Sequence, residues 1–131
     1  MRSWVPLLGV MLLAGCAGME SKSRMEKLDT LMRGYMKALE WSDFESAYTA
    51  TKAAQEKPLS DAAALKDIKV TSYEPAAPLV EQEGKSIKRV ARIRYLHQSN
   101  MTERSLTTQE VWKYSDETGR WFLDSGFPTF K

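Results

Sequence analysis

The spacing of apolar residues changes once along this chain, near Lys66, and this change limits the folds open to it. Before Lys66, apolar side chains recur every three or four residues, which is typical of amphipathic helices. The clearest stripe consists of Met25, Leu28, Met32, Tyr35, Met36 and Leu39. After Lys66, apolar and polar residues alternate, as in half-buried strands. Helices followed by strands predict an α+β domain, with N-terminal helices packed on a curved antiparallel sheet.

Two shorter helices are predicted between this stripe and the strands. Ser42 and Glu45 have the spacing of a capping box, in which each side chain accepts a hydrogen bond from a backbone N–H group of the other. We therefore expect a second helix over residues 43–52. Ser60 or Asp61 is expected to cap a third, short helix.

Five strands are predicted in the second half of the chain, over residues 68–73, 79–82, 86–98, 105–114 and 120–125. The last two are joined by a tight loop in which Gly119 suits a positive φ. If Ser115 lies opposite Arg120, then Trp112 and Glu110 lie on the same side of the sheet, because side chains alternate along a strand. We expect this to be the concave side that faces the helices.

The first sixteen residues have the composition of an export signal. Arg2 is basic, residues 5–13 are largely apolar, and small residues precede Cys16, the single cysteine. This order is typical of a secretory signal, and the apolar run is shorter than the ~20 residues of a membrane-spanning helix. The ending Leu13-Ala14-Gly15-Cys16 resembles the lipobox of bacterial lipoproteins. The alternative is a cysteine that is discarded with the leader.

The lipobox resemblance implies a processed, membrane-anchored protein. In that family the cysteine sulfur receives a diacylglyceryl group, the leader is cut off before the cysteine, and the new amine is usually acylated, for example with palmitate. The expected organisation is a signal peptide over residues 1–15, lipidated Cys16 with a flexible spacer over residues 16–23, and one α+β domain over residues 24–131. Ala17, where aspartate would favour the inner membrane, implies the periplasmic side of the outer membrane.

Composition excludes several classes of function. Of 19 basic and 17 acidic residues only Arg2 lies in the leader, so the mature chain has a net charge of +1. A nucleic-acid partner needs a larger basic excess, and none is expected. With one histidine and with its only cysteine assigned to lipid, the chain is expected to contain no disulfide, no metal site and no cofactor.

Two segments carry a second resemblance. Residues 35–48 resemble the opening helix, polar break and helix of the nuclear transport factor 2-like superfamily, and residues 110–121 resemble its final hairpin. The resemblance covers about residues 25–130 and implies a cone whose helices close one end of a bent sheet. A cystatin-like domain has a similar order of elements. The superfamily contains enzymes, binding modules and oligomerisation domains, so the fold alone does not decide the function.

Two titratable residues are candidates for catalysis. Glu110, beside Trp112 on the apolar side, is a candidate general acid or base, because burial favours the protonated form of a carboxylate. Alternatively, it lies at the rim of the sheet or forms an ion pair with Arg92 or Arg94 of the neighbouring strand. His97 could join it in one cavity, or it could be a hydrogen-bonded structural residue.

The remaining candidates concern binding. Aromatic side chains are expected to line a pocket inside the cone: Tyr95, Trp112, Tyr114 and Trp121. A basic patch of Lys88, Arg92 and Arg94 faces outward and is either solvated or meets anionic lipid or an acidic partner. The resulting hypothesis is a non-catalytic envelope lipoprotein that binds another envelope protein, a cell-wall component or a small apolar ligand. The alternatives are a small enzyme that uses Glu110 and a homodimerisation module.

Overall fold

The computed structural model describes the backbone of residues 12–131 and the side chains from Gly18 onward. The fold is α+β, as predicted, with one long helix packed on a curled antiparallel sheet. The helices are α1 (Leu12–Glu40), α2 (Phe44–Tyr48) and α3 (Ala62–Leu65). Short 3₁₀ turns lie at Ala53–Gln55, after α2, and at Gln82–Gly84. The strands are β1 (Ile68–Pro75), β2 (Leu79–Glu81), β3 (Ser86–His97), β4 (Thr102–Ser115) and β5 (Arg120–Leu123). This arrangement is compatible with a nuclear transport factor 2-like or a cystatin-like fold.

The apolar stripe of α1 forms one half of the core. Leu28, Tyr35 and Leu39 are buried, and the Tyr35 ring meets Trp112 of the sheet edge-on at 5.3 Å between centroids. The three methionines of the stripe are half-buried and pack around this core, where unbranched thioether side chains fill irregular gaps. Each large apolar side chain buried in this way stabilises the fold by about 1.5–3 kcal/mol.

The sheet has the strand order β1-β3-β4-β5, with β2 paired to the first residues of β3. The register of the last hairpin confirms the prediction, since Ser115 lies opposite Arg120 and Trp112 opposite Leu123. Gly119 has a φ of +68° in the connecting loop. Strand β5 ends at Leu123, two residues before its predicted end, and the Ser125 hydroxyl accepts a hydrogen bond from the Val111 N–H group.

The predicted capping box at α2 is wrong. Asp43 is the N-cap, and its side chain accepts from the backbone N–H group of Ser46. Ser42 has a φ of +57° in the turn between α1 and α2, and its hydroxyl accepts a hydrogen bond from Val70 of β1 at 2.9 Å. The Ser42 side chain, which the capping box would place at the start of α2, thus binds the backbone of β1 instead. Helix α2 ends at Tyr48, earlier than predicted.

Helix α3 forms where it was predicted, but without a side-chain cap. Asp61 is its N-cap residue with a φ of +56°, and neither its side chain nor that of Ser60 forms a capping hydrogen bond. The short helix is therefore held by its surroundings rather than by its first turn.

Helix α1 begins at Leu12, before the predicted start near Arg24. Residues 18–23 of the predicted spacer are helical and, apart from half-buried Ser21, exposed, because the segment contains good helix formers and no proline. Residues 1–11 and the side chain of Cys16 lie outside the described residues, so the signal peptide, the lipid anchor and the spacer remain predictions. Within residues 12–131, no helix is long and apolar enough to cross a membrane.

Candidate functional site

Glu110 lies at the centre of a buried polar network on the concave side of the sheet. It is 1% exposed. One carboxylate oxygen accepts from Arg89 Nε at 2.7 Å and from Trp112 Nε1 at 2.9 Å, and the other accepts from the Tyr73 hydroxyl. Arg89 also donates to that hydroxyl at 3.0 Å. The carboxylate therefore has a donor on each oxygen, as a buried charge requires.

The partner of Glu110 is Arg89, not Arg92 or Arg94. The turn between β3 and β4 spans residues 98–101, and the register places Arg89 directly opposite Glu110. A strand start at residue 105, as predicted, would shift the pairing by about four residues toward Arg92 and Arg94. The alternation of β3 also favours Arg89, because it shares the inward side with Ile87.

Of the two tyrosines near Glu110, Tyr73 belongs to this network and Tyr35 lies beside it. The Tyr35 hydroxyl is buried and has no hydrogen-bond partner among the described residues. Burial, and then the nearby Glu110 charge, raise the pKa of Tyr35 well above its ordinary value. The same causes, with the hydrogen bond to Glu110, raise the pKa of Tyr73. Burial opposes the charge of Arg89, but the Glu110 carboxylate more than offsets this, and the pKa of Arg89 is raised.

His97 lies in a different part of the molecule from Glu110. It is eight positions beyond Arg89 on β3, which is about 26 Å of extended strand. Its Nδ1 is 3.3 Å from an Asp67 carboxylate oxygen and its Nε2 is 2.8 Å from the main-chain oxygen of Lys131. The structure therefore does not bring His97 and Glu110 into one cavity, and His97 is a hydrogen-bonded residue at the end of the sheet.

The Asp67 carboxylate contacts both His97 and Ser99. It accepts from the Ser99 hydroxyl at 2.8 Å and from the Ser99 backbone N–H group at 2.7 Å. The Ser99 hydroxyl, followed by its N–H group and by His97, lowers the pKa of Asp67. Aspartate, histidine and serine are all present, but the serine bonds to the aspartate rather than to the histidine. The arrangement ties β1 to the β3–β4 turn and does not activate a nucleophile.

A pocket of about 530 Å³ opens beside His97, between α3 and the C-terminal segment 126–131. Its walls are mainly apolar and aromatic, and they include Tyr48, Leu59, Leu65, Ile68, Phe127 and Phe130. Lys57, Asp61 and Lys131 add charged groups to the lining. Phe127 and Phe130 pack on Phe44 with ring centroids at 6.3 and 5.1 Å, so α2 holds the C-terminal segment in place.

The aromatic residues predicted to line a pocket lie in or against the core. Trp112 is fully buried against Tyr35. Trp121 stacks near Tyr114 at 5.4 Å, and its indole N–H donates to the Arg24 carbonyl of α1. Tyr95 contacts Phe130 at 5.1 Å and hydrogen bonds through its hydroxyl to the backbone of Lys131. None of the four lines the pocket beside His97, and Tyr95 borders two surface grooves next to Arg104 and Ser105.

The basic patch is divided. Lys88 forms a surface ion pair with Glu81 at 3.2 Å. Arg92 and Arg94 are exposed on the convex side, beside a surface groove of about 400 Å³ that Glu103, Arg104 and Ser105 also line. By the alternation of β4, the Arg104 side chain lies on the opposite side, with Leu106. The helix end that leads to Cys16 contacts Trp121, about ten strand positions or ~33 Å from Arg104. The arginines therefore lie at the end of the domain that is remote from Cys16.

Among the described residues, no group of three or more histidine, cysteine, aspartate or glutamate side chains could hold a metal ion. No known protein-family model matches the chain, and no curated protein matches it significantly. The features that bear on function are the pocket beside His97, the buried network of Glu110 and the exposed arginines.

Proposed function

We propose that this chain is a bacterial envelope lipoprotein that acts without catalysis as a binding module for a small apolar ligand. The observation that carries the binding part is the pocket between α3 and segment 126–131. The lipobox at Cys16 supports the anchor, and Ala17 supports the outer membrane, with the domain facing the periplasm.

The pocket has the size and chemistry of a ligand site. Its volume of about 530 Å³ lies within the ~300–1,000 Å³ of typical small-molecule sites, which combine apolar walls with a few polar groups. Phe127 and Phe130 provide large apolar surfaces, and Lys57 and Asp61 provide polar groups for orientation. This composition suits an uncharged or amphipathic molecule of a few rings or a short acyl chain.

The state of Glu110 supports a non-catalytic role. A general base must reach the proton that it removes. Glu110 is 1% exposed, both of its oxygens accept hydrogen bonds, and it does not line the pocket beside His97. Its role in this proposal is to join β1, β3 and β4 through Tyr73, Arg89 and Trp112.

A fluorescent apolar probe tests the ligand site. N-phenylnaphthylamine emits more strongly in an apolar environment, and we expect it to bind the wild-type chain saturably. Ala64→Phe fills the pocket and should weaken binding about tenfold, since Ala64 lines the cavity. Ala63→Phe adds the same side chain to the same helix at a residue outside the lining and should bind like wild type. If Ala64→Phe and Ala63→Phe bound the probe equally well, the pocket would not be the ligand site.

A further inference from the structure

Strand β4 has an open edge over most of its length. Strand β5 pairs only with residues 112–115, and Val111 bonds to the segment after β5 through its N–H and C=O groups. Backbone groups alternate in direction along an antiparallel strand. The N–H and C=O groups of Glu103, Ser105, Thr107 and Gln109 therefore point in the same direction as those of Val111, toward solvent. All four residues are exposed, and these groups have no partner among the described residues.

Over residues 105–109 this edge has no proline, bulge or charged side chain, and the C-terminal residues Thr129 and Lys131 border it only at a groove beside Ser105 and Leu106. Natural sheets blunt exposed edges with proline, bulges or charges that discourage a further strand. Here β3 and β4 pair over twelve residues without a register shift, and the segment Ser-Leu-Thr-Thr-Gln contains no proline, glycine or charge. Threonine, at two of the five positions, favours extended backbone. The edge is therefore suited to accept an added strand.

The charge beside the edge favours an acidic strand. Arg92, Arg94 and Arg104 line the groove of about 400 Å³ together with Ser105. Among the described residues, no carboxylate lies within 4.0 Å of these three guanidinium groups, whereas Lys85, Lys88, Arg89 and Lys113 each have an acidic partner. Glu103 in the lining and Glu74 opposite Arg92 reduce this positive charge but do not cancel it.

A second copy of the chain matches the charge of this edge less well than an acidic strand. Antiparallel pairing of two β4 edges around Leu106 would set Glu103 and Arg104 of each copy against Gln109 and Thr108 of the other, so the arginines would gain no acidic partner. Parallel pairing about a two-fold axis would set each N–H group against its own equivalent. Only the position of the site relative to the membrane rests on the proposed anchor.

We propose that the open edge of β4 binds an extended, acidic peptide segment of a partner protein, which adds to the sheet as a strand next to β4. Main-chain hydrogen bonds to residues 103–109 provide the affinity, as in other cases of strand addition. The arginines provide the preference for acidic side chains. The site lies at the end of the domain that is remote from the anchor, where a partner in the periplasm can reach it.

The test uses the lipidated chain in nanodiscs and a probe peptide, Val-Glu-Val-Glu-Val-Glu-Val, with a lysine-for-glutamate peptide as control. Backbone amide exchange is followed by mass spectrometry with residue-level fragmentation. The acidic peptide should slow exchange about tenfold at Ser105, Thr107 and Gln109 and leave Leu106 and Thr108, which already pair with β3, unchanged. The lysine peptide should bind at least about tenfold more weakly.

Variants separate the two parts of the site. Thr107→Pro removes an outward N–H group without breaking a bond to β3, and it should abolish peptide binding in a folded chain. Arg94→Ala with Arg104→Ala should weaken binding about tenfold, and Arg120→Ala, at the other end of the sheet, should not.

Equal binding of both peptides, or protection unaffected by Thr107→Pro, would overturn the proposal. A dimer of the unlipidated Cys16→Ser chain that Thr107→Pro dissociates would assign the edge to a second copy instead, whatever the state of the anchor.

Discussion

Arg89 and Glu110 face each other across β3 and β4 and form a buried ion pair, with Arg89 Nε 2.7 Å from Glu110 Oε1. Their side chains are 10% and 2% exposed. Tyr73 and Trp112 add hydrogen bonds to the same carboxylate, so the pair connects three strands under helix α1. A carboxylate that is buried and hydrogen-bonded in this way has a structural role. Its replacement should therefore lower the free energy of unfolding.

Glu110→Gln should lower the free energy of unfolding by about 3 kcal/mol. The change removes one charge and leaves the buried guanidinium group of Arg89 without its counter-ion, which is the costly way to break such a pair. Urea denaturation followed by tryptophan fluorescence measures the effect.

The matched control replaces both partners. Arg89→Met with Glu110→Gln removes both charges and keeps an amide oxygen that can accept from Tyr73 or Trp112, so it should be more stable than Glu110→Gln alone. If the single variant were as stable as wild type and lost a binding or catalytic activity instead, Glu110 would be a functional group.

Tyr35 and Tyr73 should stay protonated above the ordinary pKa of tyrosine. Burial and the Glu110 charge raise the pKa of both. Absorbance at about 295 nm, titrated above the ordinary tyrosine pKa of ~10, should therefore be the same for folded wild type, Tyr35→Phe and Tyr73→Phe. Their raised pKa stabilises the fold below pH ~10, and this contribution is lost as the pH rises further, since the unfolded chain then releases protons that the folded chain retains. A smaller absorbance in either variant, with the chain still folded, would contradict the network.

Asp43→Ala should destabilise the protein by about 1 kcal/mol through the loss of the α2 cap. Glu45→Ala should change stability by less than about 0.5 kcal/mol, because Glu45 has no capping role in the structure. Thermal unfolding of the two variants compares them directly. The reverse order of effects would restore the capping box that the sequence suggests.

Ser99→Ala should reduce the stability of the protein near neutral pH. Ser99 holds the pKa of Asp67 below its ordinary 3.8, so Asp67 stabilises the fold above that pH and loses the contribution as the pH falls through its lowered value. The variant should therefore differ from wild type at pH ~7 and approach it in acid. Urea midpoints at a series of pH values test this, and a difference that grows in acid would contradict it.

The last hairpin could be predicted in detail from the sequence. The loop at 116–119 and the alternation on both sides of it fix the register, so Trp112 faces Leu123 as expected. The same alternation places Arg89 on the inner side of β3. The local pattern could not identify Glu110 as the partner of Arg89. The turn between β3 and β4 is shorter than predicted, and this shifts every residue pair between the two strands.

The pocket and the position of Ser42 depend on contacts between distant parts of the chain. Phe127 and Phe130 flank Pro128 in a segment with no periodicity, and only their packing on Phe44 positions them. Ser42 leaves the helix terminus because Val70, 28 positions later, donates to its hydroxyl. Local sequence rules carry no information on such pairs.

The most direct test of the central claim is the intact mass of the native protein purified from bacterial membranes. The account predicts a chain that begins at Cys16 and carries a diacylglyceryl group on its sulfur and an acyl chain on its amine, and Cys16→Ser should remove both and release the protein from the membrane fraction. A free thiol at Cys16, or a chain that still begins at Met1 in the cytosol, would contradict it.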